Sequence, residues 1–144
     1  MDNYSHTQFA GWPVVFPLGV CILITVYFGV IKSETFGLLT SVVFIVLMVL
    51  FYSLKITVDE KYLRLRYGIG LIRIKFPVRE IMTCETVRNR WWYGLGIRVI
   101  PEGWLFNING LDAVRVNMRN RTVYRFGTDE PDKLCQAINR FIHA

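Results

Sequence analysis

The chain has 144 residues, 53% of them hydrophobic, with 17 Lys/Arg against 11 Asp/Glu and a net charge of +6. Two long apolar runs take up much of the first 54 residues, leaving room for one small globular domain and no more. Cys21, Cys84 and Cys135 are widely spaced without a C-x-x-C pattern, which argues for reduced thiols and against a disulfide framework or a metal site.

Residues 1–12 read as an N-terminal tail without Lys or Arg. The apolar runs Pro13–Ile31 and Phe36–Leu54 follow, each 19 residues long, uncharged, and separated only by Lys32-Ser33-Glu34-Thr35. At about 1.5 Å per helical residue, each can cross a hydrocarbon core of roughly 30 Å. So short a connection makes the helices antiparallel, and residues 13–54 read as a transmembrane hairpin (13–31 and 36–54). A cleaved signal peptide is the competing reading of the first run. No basic segment precedes that run and no A-x-A-like site follows it, so a retained anchor is expected.

Cys21, Thr25 and Gly29 recur every four residues, as do Gly37 and Ser41. Antiparallel pairing sets Gly29 against the Gly37 region and Thr25 against Ser41, and small residues let helix backbones approach closely in lipid. Pro17 predicts a kink in the first helix. Neither run holds an ionisable residue, the usual mark of an ion or proton pathway, so the hairpin reads as an anchor and not a transporter.

Residues 55–144 hold 16 of the 17 Lys/Arg and nine of the 11 Asp/Glu, a local charge of +7. Lys55, Lys61, Arg64 and Arg66 beside the second run place this domain, and with it the N-terminus, in the cytoplasm. Period-two alternation predicts strands at Ile56–Val58, Leu63–Tyr67, Ile72–Phe76, Met82–Arg88, Ile97–Ile100, Trp104–Ile108, Asp112–Met118 and Thr122–Phe126. Asn109-Gly110 is the strongest turn signal and predicts a type I′ hairpin. Thr128 or Asp129 as cap and Pro131 in the first turn open an amphipathic helix carrying Leu134, Ile138, Phe141 and Ile142 on one face. Strands followed by one helix suggest a small barrel or sandwich with the helix closing one opening.

The segments Gly96-Ile97-Arg98, Glu102-Gly103-Trp104-Leu105-Phe106-Asn107-Ile108, Gly110-Leu111-Asp112-Ala113-Val114 and Phe126-Gly127-Thr128-Asp129-Glu130-Pro131 resemble bacterial membrane proteins with a pleckstrin-homology-like (PH-like) domain. The resemblance covers about the last half of the chain. It implies a membrane-anchored α+β protein, in which a two-helix hairpin precedes a PH-like antiparallel β-barrel capped by a C-terminal helix. A PH domain has seven strands, so one of the eight is expected to be misread. Fold alone does not supply function.

Arg64, Arg66, Arg73 and Lys75 alternate along two neighbouring strands and form a basic sheet face, while Lys55 followed by Arg64-Leu65-Arg66 resembles the loose basic pattern with which some PH domains hold phosphoinositide head groups. Like charges across strands repel, which an anionic head group would relieve. The competing reading is a solvated face paired with Glu60, Glu80 or Glu85. No linker separates Leu54 from Ile56, so the domain is held against the lipid surface, where each nearby cation gains about 1 kcal/mol on an anionic leaflet. Arg88 and Arg90 beside Trp91, Trp92 and Tyr93 suit a membrane interface or equally an aromatic loop closing one end of the core. Stacking on nucleic acid is not expected, because no recognition motif accompanies the aromatics. His6 and His143 lie at the two ends without a partner at useful spacing, and no nucleophile, metal, phosphate-loop or paired-carboxylate motif appears. The expectation is a bacterial inner-membrane binding or scaffolding module, not an enzyme, and without a cofactor. It would recognise a protein or peptide partner, anionic lipid head groups, or itself. An accessory subunit that docks through its hairpin into a larger membrane complex is the alternative.

Overall fold

A computed structural model describes residues 4–33 and 35–142; Asp2, Glu34 and His143 lie outside the described residues. Strand β1 (Tyr4–Phe9) precedes helices α1 (Trp12–Ile31) and α2 (Thr35–Phe51). Eight strands follow: β2 (Ser53–Val58), β3 (Tyr62–Tyr67), β4 (Ile72–Pro77), β5 (Ile81–Arg88), β6 (Gly96–Ile100), β7 (Gly103–Asn107), β8 (Asp112–Met118) and β9 (Val123–Gly127). Helix α3 (Pro131–Ile142) closes the chain. The protein is thus an α+β fold: a helix pair, two sheets and a C-terminal helix.

The first correction concerns residues 4–9, read above as tail. They form β1, which pairs antiparallel along the whole of β2, from Tyr4 opposite Val58 to Phe9 opposite Ser53. Ala10 N–H donates to the Tyr52 carbonyl at 2.7 Å, carrying the pairing to the root of the helices. The segment is mostly polar, and its place is set by pairing with β2 and by side-chain contacts to the second sheet and the start of α3. Gln8, the one buried residue of β1, donates through Nε2 to the Gly127 carbonyl.

α1 runs unbroken through Pro17 and is long and apolar enough to cross a membrane by length and composition. α2 is apolar and shorter, at 17 residues. It ends before Ser53 and Leu54, which belong to β2 and are buried in the domain. Leu54 alternates with Ile56 and Val58 toward the core, so period-two burial ends the helix three residues before the apolar run ends.

All eight strands read from the sequence are present, and β1 makes nine among the described residues. They do not close into a barrel. One sheet has the order β1-β2-β3-β4 and the other β5-β8-β9-β7-β6. β4 ends at Pro77, which has no N–H to offer a ladder, and the short 3₁₀ turn Val78–Glu80 separates it from β5. Asn109-Gly110 is also not a hairpin turn. β9 lies between β7 and β8 and pairs parallel with β7, so residues 108–111 are a crossover. The Asn107 side chain shapes it, donating to the Gly110 carbonyl and accepting from Asn109 N–H.

The inward faces meet in one core. Leu54, Ile56, Leu63, Leu65 and Tyr67 from the first sheet pack with Val114, Val116 and Phe126 from the second, and Leu134 and Ile138 of α3 join them. Phe76 lies 4.6 Å from Tyr124 and 5.3 Å from Phe126, ring centre to ring centre, so aromatic packing fastens the edge strand β4 to the other sheet. Thr128 Oγ1 accepts from Glu130 N–H in the turn before α3, but the Glu130 carbonyl takes the first helical bond, from Leu134 N–H, so the cap position falls on Glu130 and not on Thr128 or Asp129.

Candidate functional site

The strand register decides how the basic residues stand. Lys55, Arg66 and Arg73 are directly opposite one another across β2, β3 and β4, in a row continued by Thr7 of β1. Two residues further from the helix pair, Arg64 faces Lys75. Lys55, Arg66, Arg73 and Lys75 are exposed, and among the described residues none of these four forms an ion pair. Arg64 differs. It is half-buried over the Tyr62 ring and binds Asp59 at 2.9 Å. Burial by itself would raise the Asp59 carboxyl, but N–H donors from Tyr62 and Lys61, together with Arg64, hold it below its usual range. Neither Glu60 nor Glu80 pairs with the face, and Glu85 turns to Arg115 at 3.5 Å. Three cations therefore sit side by side with their mutual repulsion unrelieved.

This row lies next to the root of the helix pair. The β3–β4 turn closes the same end of the sheet, with Gly68 N–H donating to the Ser53 carbonyl at 2.8 Å. Its tip carries Ile69 and Leu71, 62% and 71% exposed. Phe9, Trp12 and Tyr52 are likewise exposed at the root. A collar of apolar and aromatic side chains thus adjoins the basic row on the side facing the helices.

Arg88 and Arg90 belong elsewhere, at the end of β5 in the second sheet and in the loop beyond it, and the structure does not bring them into the row. Arg90 lies over Trp92, 5.2 Å from the ring centre. Trp91 and Trp92 are 76% and 56% exposed, too open to be closing the core. Trp91 instead stands beside Pro13 and Pro17 of α1 along a groove. Tyr93 packs inward, under the guanidinium of Arg125 at 5.7 Å.

Arg125 is the residue that sequence reading missed. It is buried on β9, donates to Asn89 Oδ1 at 3.1 Å and to Glu102 Oε2 at 2.6 Å, and so ties the aromatic loop to the β6–β7 turn. Its partners come from two segments far from it in the chain, the loop holding Asn89 and Tyr93 and the turn holding Glu102, and the sequence hint is a lone cation between Tyr124 and Phe126. The hydrogen bond from Arg125 holds the Glu102 carboxyl below its usual range, against a smaller opposing effect of burial. A depressed carboxyl stabilises the fold above its ordinary value and loses that contribution as pH falls through its folded one. Glu102→Gln is expected to cost about 1–2 kcal/mol at neutral pH, limited by the exposure of the Glu102 side chain, 38%. Below pH 4 the gap between wild type and variant should close in thermal unfolding; a gap constant across pH would sink the ion-pair account.

In the helix pair, Gly29, Gly37 and Ser41 are the buried residues among those described. A Cβ on Gly37 would lie 2.7 Å from Gly29 N and 2.9 Å from the Thr25 carbonyl oxygen, so the backbones touch there. Thr25 is half-buried and donates to the Cys21 carbonyl at 2.9 Å, and Ser41 donates to that of Leu38 at 2.7 Å. His6, unpartnered in the sequence reading, meets Asp129 through Nε2 at 2.6 Å and pins β1 to the start of α3. Cys84 and Cys135, distant in sequence, are neighbours between β5 and α3. Burial, then the adjacent Cys135 thiol, pushes the Cys84 thiol up from its ordinary range, which favours the protonated form.

No protein-family model matches the chain, and no curated protein matches it either.

Proposed function

We propose that this is a membrane-anchored binding module at the cytoplasmic leaflet of a bacterial inner membrane. In this reading α1 and α2 both cross the bilayer and a PH-like domain engages anionic lipid head groups beneath them. The observation that carries it is the exposed, unpaired row Lys55–Arg66–Arg73 beside the root of the helix pair. β1 and β2 leave that root as a paired ladder, which supports a common side for both ends of the hairpin. Strands rise about 3.3 Å per residue, so Lys55 stands within about 13 Å of the end of α2. That is near enough for long side chains to reach the head groups. Three cations at about 1 kcal/mol each give roughly 3 kcal/mol, enough to orient a tethered domain on an anionic surface. Exposed Ile69, Leu71 and Tyr52 would enter the interfacial layer beside them. The two-sheet domain with its C-terminal helix supports a PH-like ancestry, while the parallel β7–β9 pair departs from the antiparallel expectation.

The chemistry is binding and not catalysis. Edge strands β4 and β6 offer backbone groups to which a partner's extended segment could add, the specific reason to keep a protein ligand as a second reading. The test uses the full chain in lipid nanodiscs. Amide exchange in β3 and β4 should slow in phosphatidylglycerol relative to phosphatidylcholine discs, and the difference should vanish in high salt. It should also vanish in the triple variant Lys55→Gln, Arg66→Gln, Arg73→Gln. Equal exchange in both lipids would overturn the head-group reading.

A further inference from the structure

On the second-sheet side, a groove runs between the helix pair and the domain. One stretch encloses about 400 Å³ and the adjoining one about 550 Å³. Val14 and Leu18 of α1 and Leu47 and Phe51 of α2 form one wall, and Leu95 and Arg98 face them. Among the described residues, Arg98 is the one charged residue lining either stretch. Its Nε donates to the Leu95 carbonyl at 2.9 Å, which fixes the side chain and leaves the two terminal nitrogens available. Gly94, at φ +69°, lies beneath it: a Cβ there would come within 3.0 Å of Nη1. A flat guanidinium is therefore seated on a glycine and held at the mouth of an apolar cleft, with the exposed Trp91 indole on the rim.

The geometry points to a binding site for one anionic glycerophospholipid of the surrounding leaflet. The phosphate is taken by the free Nη groups of Arg98, and an acyl chain lies along Val14, Leu18 and Leu47. Guanidinium matches phosphate with paired N–H donors. The walls are mainly apolar, so a polar occupant would find few partners along them, whereas a hydrocarbon chain loses no hydrogen bond on entering. Leu18 lies more than a turn into α1 from Trp12, so the cleft descends from the root along the helices, as a lipid chain does. Nothing in the basic row of the first sheet takes part.

This site rests on the membrane placement proposed above, and the test separates the two. Full-length protein purified in detergent is titrated with phosphatidylglycerol or phosphatidylcholine and its bound lipids are counted by native mass spectrometry. The wild type should retain one phosphatidylglycerol, at least tenfold more tightly than phosphatidylcholine. Arg98→Gln, an exposed change, and the groove-filling Leu18→Trp should each weaken retention about tenfold or more. The Lys55→Gln, Arg66→Gln, Arg73→Gln variant should keep the lipid. Equal retention by Arg98→Gln, equal binding of the two lipids, or loss in the triple variant would each overturn the groove site. Release of the protein from membranes by an alkaline carbonate wash would overturn the membrane placement instead, and the groove site with it.

Discussion

Gly68→Ala is expected to cost about 3 kcal/mol and to lower Tm by about 10 °C, from the sum of two effects. Gly68 holds φ +51°, a left-handed conformation in which a side chain costs about 1–2 kcal/mol. An added Cβ would also sit 2.2 Å from the Val49 carbonyl oxygen and 2.6 Å from that of Leu50. Those atoms are the backbone of the last turns of α2 and cannot rotate aside. The β3–β4 turn would have to lift off the helix, withdrawing the Gly68 N–H from Ser53 and the apolar tip from the root. Gly70→Ala is the internal control. Its φ of +87° is equally unfavourable, but only the Arg73 side chain approaches, at 3.8 Å. It should lose about 1–2 kcal/mol. Equal losses for the two variants in thermal unfolding would show that contact with α2 contributes nothing.

Gly37→Leu should separate the helix pair. The new Cβ meets Gly29 N at 2.7 Å, the Thr25 carbonyl oxygen at 2.9 Å and Gly29 Cα at 3.0 Å, all of them backbone. With both helices in a bilayer, as proposed, no hydrophobic gain would reward helix contact, so association would depend on the close approach that these glycines permit. Overpacking of this kind costs about 1–3 kcal/mol. Because β1 and β2 continue directly from the two helices, faster amide exchange should spread from the helix ends into the β1–β2 ladder. Gly19→Leu, where no atom lies within 4 Å of the added Cβ, should change neither Tm nor exchange. A Gly37→Leu protein as stable as Gly19→Leu would mean that the pair is held by its loop and strands alone.

The positions of these glycines show how far each kind of information reaches. The stripe Cys21, Thr25, Gly29 and its counterpart Gly37, Ser41 are legible because helical periodicity is local and small residues at four-residue spacing mark one face. Alternation made β2, β3 and β4 equally legible, and once they are strands, their register follows from short turns. Arg64, Arg66, Arg73 and Lys75 could therefore be placed on one face from the pattern alone, whereas the alignment of Lys55 with Arg66 and Arg73 in a single row needed the register. Leu54 was misplaced because an apolar run has no internal mark where an exposed apolar helix gives way to a buried strand.

By itself the sequence determined the two apolar helices, all eight strands after them, the terminal helix and the basic face. Each of these is encoded by near neighbours through period, turn residues or charge. Only the tertiary structure decided what depends on remote partners. Tyr4–Phe9 has no strand-like apolar face of its own and becomes β1 because β2 offers it a free edge and α3 offers His6 a carboxylate. Asn109-Gly110 turns the chain, but β9 inserts beside β7 and makes that turn a crossover. Arg125 is an ordinary strand cation until Asn89, Tyr93 and Glu102 surround it. Arg98 gains its place only because the helices bring Leu18 and Leu47 to face it. In each case the deciding interaction joins segments far apart in the chain, and no local pattern carries that information.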